Sequence, residues 1–273
     1  MENPIKSNTI NQKRRWRLRQ HYPAKAVQIN NLVTETRWLL AYSLFYVLLA
    51  VLIGFAIRSF PLPLLGATYF TQDFWYVVVF KIGFLLILPV AVFRRWGYSF
   101  NDVFFGWKAS TRSILTILVL FLIGLFVNSG RTAEIADAMN LHSAEVAIAR
   151  IALGFFIALF FAGIPEELFY RGMLQTRLEA LWGSIPAIIT SALLFVAWHI
   201  PTRYILAHSV EGEAGDLMSV LVGTGLPVTI VALIFALAWA RYRNLPALMA
   251  IHTGIDTLPV VASMLQSTAP SIR

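Results

Sequence analysis

Runs of apolar residues about as long as a membrane is thick recur along this chain and leave it few folds to adopt. They lie at about 38–58, 74–93, 113–129, 146–181, 185–200, 217–240 and 245–265. A helix crosses the roughly 30 Å hydrocarbon core in about 20 residues at about 1.5 Å each. In lipid every backbone polar group must be satisfied within the protein, which helices achieve and open strands do not. The expected fold is therefore all-α, a polytopic transmembrane helical bundle with about seven to eight spans. The eighth depends on Gly254 and Pro259 breaking the last run, which would leave 260–273 as a short span or a tail. Composition agrees, with 58% hydrophobic and 13% charged residues and a mean hydropathy of +0.69, well beyond a soluble globular domain.

Charge sets the expected topology. Residues 1–37 carry Lys6, Lys13, Arg14, Arg15, Arg17, Arg19, Lys25 and Arg37 against Glu2 and Glu35. By the positive-inside rule this is a basic cytoplasmic tail. It is too long and too basic for an ordinary signal peptide, so the run after it reads as a retained first span. Residues 38–273 then form the membrane domain, with its motif core at about 146–260. Arg94, Arg95, Lys108 and Arg112, and later Arg241 and Arg243, return the chain to the cytoplasm. The segment Asn128–Arg150 and the loop 201–216, with His208, Glu211, Glu213 and Asp216, fall on the other side. This describes a multi-pass protein of a plasma or inner membrane. Trp75, Tyr76, Trp96 and Trp107 suit interfacial belts. Because much of the net charge of +8 sits in the tail, the anionic lipid surface is the simpler partner and nucleic acid is not expected. There is no cysteine, which excludes disulfides, thiol nucleophiles and Cys-ligated zinc.

Against this background, Glu166, Glu167 and Arg171 stand out. An ionisable residue in such a run costs roughly 2.5–3.5 kcal/mol at the bilayer centre and is by default a functional hypothesis. At about 100° per residue Glu167 and Arg171 share a helix face, while Glu166 points elsewhere. Glu167 is thus the expected ion-pair partner of Arg171. Glu166, left free beside a second carboxylate in a poorly hydrated setting, suits a general base or acid. The helix holding them is expected to kink or restart at Pro165 and to project Gln175, Arg177 and Glu179 into the cytoplasm before a turn at Trp182-Gly183-Ser184. Folding about that turn brings His199 to the depth of Glu166. His252 and Asp256, four residues apart on a later helix, share a face about 10 Å inside the last cytoplasmic turn, a shallow position.

In order, Glu166-Glu167-x-x-x-Arg171, Phe195-x-x-x-His199 and His252-x-x-x-Asp256 resemble the three motifs of the CAAX protease and bacteriocin-processing (CPBP, Abi) family of intramembrane proteases, which includes the type II CAAX prenyl endopeptidases. The resemblance implies an intramembrane endopeptidase acting on membrane-associated peptides or proteins. It implies Glu166 as the group that activates water, His199 and His252 flanking the reacting carbonyl, and Glu167, Arg171 and Phe195 as supporting residues. Members have been described both as metalloproteases and as metal-independent glutamic proteases. The cofactor is accordingly either none or Zn²⁺, held in that case by Glu166, His199, His252 and Asp256. One position departs from the pattern. The family often ends its third motif in Asn, whose amide can donate to an oxyanion, whereas Asp256 donates only when protonated. That favours Asp256 as an orienter of a histidine or a metal ligand.

Serine, aspartyl and His-Glu-x-x-His zinc protease motifs are absent from the sequence. Two other classes stay open: a non-catalytic scaffold or immunity-type membrane protein of the same fold, and a proton-coupled transporter using Glu166 and the histidines as a relay. No inverted repeat supports the transporter.

Overall fold

The structure, a computed structural model, describes residues 31–59, 77–99, 102, 109–205 and 216–266. The expectations for the tail up to residue 30, for Trp75, Tyr76, Trp107 and Lys108, for the loop residues His208, Glu211 and Glu213, and for residues beyond 266 lie outside them.

Every regular element among the described residues is helical. Helix α1 is Leu32–Ser59. Helix α2 is wound as a π-helix over Val77–Ile87 and continues as an α-helix over Leu88–Arg95. Helix α3 is Thr111–Val127, and a tight turn leads to the short α4, Thr132–Met139. Helix α5 is the long one, Ala144–Trp182; then come α6, Ser184–Ile205, α7, Leu217–Tyr242, and α8, Leu245–Gln266. Five of these, α1 and α5 to α8, are long and apolar enough to cross a membrane, or six if α3 and the segment Ser129–Met139, bent by 61°, count as one span. Among the described residues this does not reach the seven to eight expected, and the run at 74–93 begins outside them. The 17 residues of α3 fall short of a full crossing, and the last run does not divide into two.

Why it does not divide is visible at Pro259. Helix α8 runs unbroken through Gly254 and Pro259 to Gln266. Proline removes the donor that the carbonyl four residues earlier needs. That carbonyl belongs to Ile255, and it accepts instead from the side-chain amide of Asn128 at 2.7 Å. Gly254 is present for proximity rather than as a break. A Cβ there would lie 2.3 Å from the Phe121 carbonyl oxygen, and one on Gly124 would lie 2.3 Å from that of Ile251. The backbones of α3 and α8 therefore touch, as small residues allow in membrane bundles. Helix α8 is the most enclosed span, 67% of its apolar window being buried, with α3, α4 and α5 packed around it. Helices α1 and α7 flank α6. Large side chains of α3 such as Leu115, Leu118, Leu122 and Phe126 stay exposed, as a lipid-facing surface requires.

One end of the bundle is tied by charge. The helix begins at Leu32 rather than 38, so Glu35 lies inside α1, buried, and meets Arg177 at 3.1 Å. Tyr98 donates to Glu35 at 2.9 Å, and the Arg177 guanidinium stacks 4.3 Å from the Phe93 ring. Glu179 pairs with Arg243, the one described non-glycine residue with a left-handed backbone. Gln175, Arg177 and Glu179 are thus buried latches and not the solvated, projecting face expected of them. Arg177 and Glu179 find partners on α1, α2 and the α7–α8 connection, and Gln175 donates to the Ala236 carbonyl of α7 at 2.8 Å. The same end carries Gly183, whose positive φ of 85° ends α5. Trp96, expected at an interface, packs on Trp38 and Phe93 at 5.4 and 5.3 Å. Asp216 caps α7 by accepting from the backbone amides of Met218 and Ser219.

Candidate active site

Helix α5 carries the two glutamates on an unusual backbone. A single α-helical turn, Ile164–Glu167, is set between π-wound segments at Ala158–Gly163 and Leu168–Gln175. Wider winding of this kind is rare and is concentrated at functional sites. Pro165 sits here without breaking the helix. Just before it, a Cβ on Gly163 would lie 2.3 Å from the Thr253 hydroxyl, so the absent side chain is what presses Glu166 and Glu167 against α8.

Glu167 is fully buried and pairs with Arg171 at 3.4 Å, the i, i+4 relation expected from sequence. Arg171 also donates to the Ala232 carbonyl and lies 4.7 Å over the Phe195 ring. The other oxygen of Glu167 accepts from His252 Nδ1 at 2.8 Å. His252 Nε2 then faces Asp256 at 3.4 Å and Glu166 at 3.7 Å. Both ring nitrogens of His252 therefore look onto carboxylates, which arranges the ring as a donor at each.

On α6, His199 Nδ1 donates to the Phe195 carbonyl at 2.7 Å. This leaves Nε2 of the neutral ring as an acceptor, 3.9 Å from the same Glu166 oxygen that His252 faces. Those two separations exceed a hydrogen bond, so Oε2 of Glu166 and both Nε2 atoms stand near one another without closing on each other. Aromatic rings hold the imidazoles in place: Trp198 is 3.8 Å and Phe195 4.7 Å from His199, and Phe235 is 5.6 Å from His252.

Glu166 is not left free. Lys81, from the π-wound part of α2, reaches its Oε1 at 2.9 Å, and both side chains are almost wholly buried. Sequence reasoning passed over this lysine, although a lone cation in the run 74–93 is as costly in lipid as the glutamates that drew attention. The ammonium also lies 5.2 Å from the Trp198 ring.

The structure thus brings together all of Glu166, Glu167, Arg171, Phe195, His199, His252 and Asp256, and adds Lys81. Helix α8 begins at Leu245, so about 10 Å of helix separates its start from His252, the spacing expected, and about 16 Å separates Glu166 from Arg177. Asp256 is its most open member, with 32% of its side chain exposed, against 10% or less for Lys81, Glu166, His199 and His252. As a zinc site the arrangement does not fit. Among the described residues no three His, Asp or Glu side chains are grouped to hold a metal ion, and an ammonium sits 2.9 Å from the carboxylate that would have to ligate it.

Residues 148–258 match the family model described as "Type II CAAX prenyl endopeptidase Rce1-like". No curated protein and no solved structure matches the chain.

Proposed function

With residues 148–258 matching the family model of type II CAAX prenyl endopeptidase Rce1-like proteins, we propose that this multi-pass membrane protein is an intramembrane endopeptidase that hydrolyses membrane-associated peptides or proteins by a glutamate-activated water. The observation that carries this reading is the placement of Oε2 of Glu166 within 4 Å of Nε2 on both His199 and His252, drawn from three separate helices.

In the reaction so read, water sits between Oε2 of Glu166 and the His199 Nε2 acceptor, which orients it. Glu166 takes one proton from the water as its oxygen bonds to the scissile carbonyl carbon. The carbonyl electron pair moves onto its oxygen, and the His252 Nε2 donor faces the oxyanion. Collapse of that intermediate breaks the C–N bond, and the proton on Glu166 passes to the departing amine, so the base is restored. Asp256 acts through His252 here rather than as an oxyanion donor, which accommodates the Asp in place of Asn. Such a base contributes typically 10²–10⁴-fold. Substrate would enter from the side of Asp256, the most open residue of the cluster.

Orientation follows from charge. The bundle end tied by Glu35, Arg177, Glu179 and Arg243 also carries Arg94, Arg95 and Arg241, and the positive-inside rule makes it cytoplasmic. Cleavage is then on the cytoplasmic side of the bundle.

The test is cleavage of a fluorescence-quenched peptide library, with farnesylated CAAX peptides included, by the full chain in proteoliposomes. Glu166→Gln should abolish turnover while the protein stays folded and inserted. Full activity in that variant would defeat the proposal.

A further inference from the structure

We propose that Lys81 belongs to the catalytic machinery: its ammonium is the counter-charge of Glu166 in the resting site and the cation that follows negative charge onto the substrate oxyanion as Glu166 is protonated. The inference rests on the reading of Glu166 as the base and goes beyond it, because no family motif carries Lys81.

The two glutamates have separate cations of different kinds. Arg171 is pinned by Glu167, the Ala232 carbonyl and the Phe195 ring. A planar guanidinium held at that many points is a fixed strut. Lys81 is a compact charge on a four-carbon stem, lying on Oε1 of Glu166 and near the Trp198 face. Such a stem can move its charge by an ångström or more at little cost.

A purely structural ion pair is hard to reconcile with the surroundings. The segment VVVFKIGFLLI is otherwise apolar, and replacing a buried ion pair by well-packed apolar residues is often neutral or stabilising. The lysine is therefore explained by what Glu166 must do. When Glu166 takes the proton from water it becomes neutral, and the negative charge reappears on an oxygen a few ångströms away. An ammonium buried beside a neutral acid is poorly solvated, so it is drawn to the new anion. It donates hydrogen bonds there and keeps its own proton throughout, so the step needs no further acid or base. The family's third-motif amide would serve this need, but Asp256, turned to His252 Nε2 at 3.4 Å, does not. Lys81 supplies the missing donor from another helix.

The experiment compares Glu166→Gln, Lys81→Met, Lys81→Arg and Lys81→Ala in proteoliposomes with the same peptide library, scoring kcat and KM per folded molecule. Lys81→Met should lose on the order of 10²–10³ in kcat, the loss expected for one oxyanion donor, with KM little changed. Lys81→Arg should recover part of that loss by restoring the charge. Propylammonium added to Lys81→Ala should restore turnover in a saturable way. If Glu166→Gln keeps full activity, both readings fall. If Glu166→Gln is inactive but Lys81→Met turns over normally, only the role of Lys81 falls. It also falls if the loss in Lys81→Met matches its loss of folded protein, or if neither arginine nor propylammonium restores any turnover.

Discussion

The side-chain amide of Asn128 donates to the carbonyl of Ile255 at 2.7 Å, the carbonyl that Pro259 deprives of its helical donor. A residue just past the end of α3 thereby repairs α8, the helix that presents His252 and Asp256. Proline breaks helices because it leaves a carbonyl unsatisfied. Here a neighbouring helix removes the reason to break.

Removing that donor should therefore weaken α8 where Pro259 interrupts its hydrogen bonding. Asn128→Leu is expected to lower stability by about 1 kcal/mol, the low end of the cost of leaving a buried acceptor unpaired, since this one is partly buried. Thermal unfolding in detergent measures it. An unchanged melting temperature would mean that Pro259 is tolerated without help.

The contact between α3 and α8 gives a second prediction. In Gly254→Ala the new Cβ would meet the Phe121 carbonyl oxygen at 2.3 Å, and backbone cannot step aside as a side chain can. Overpacking of this sort costs about 1–3 kcal/mol or more. Helix α8 should shift and take His252 with it, so turnover per folded molecule should fall as well. Gly83→Ala is the control, since no described residue lies within 4 Å of a Cβ there, and it should leave both properties intact.

The latch between Glu35 and Arg177 should be separable from the chemistry. Arg177→Met strips a buried carboxylate of its partner, a change that costs about 3–5 kcal/mol. The melting temperature should drop substantially, while the residual folded protein keeps its KM and kcat. A selective loss of kcat with normal stability would contradict a purely architectural role.

Asp216 offers a pH dependence outside the spans. Hydrogen bonds from the Ser219 hydroxyl and the Ser219 and Met218 amides hold its carboxyl below the ordinary value of 3.8. A depressed value means that the ionised cap stabilises the start of α7 above about pH 4. The contribution fades as pH falls through the lower, folded value. Amide exchange at Met218 and Ser219 should accelerate, relative to the intrinsic rate, as the medium is acidified through that range. In Asp216→Ala it should be fast at every pH.

How much was legible beforehand differs from one residue to the next. The Glu167–Arg171 pair could be read directly, because four residues along a helix fix a shared face. Folding about Gly183 likewise put Glu166 and His199 at one depth, since rise per residue is a local constant. Lys81 could have been flagged as a costly cation, but no spacing rule ties it to Glu166. Arg177 and Glu179 were misread as solvated, because their amphipathic spacing looks the same whether water or a buried carboxylate waits opposite.

The amino-acid order alone therefore determined the helical, membrane-spanning character of the chain and the residues that carry its three motifs, because hydropathy and helical period are properties of neighbours in sequence. Only the packed bundle decided which charges meet: Lys81 with Glu166, Glu35 with Arg177, Glu179 with Arg243. It also decided that α8 survives its proline. Those outcomes depend on which helix faces approach closely enough to exchange hydrogen bonds and charge. That approach is set at glycine contacts such as those of Gly124, Gly163 and Gly254, where two distant segments must fit one another.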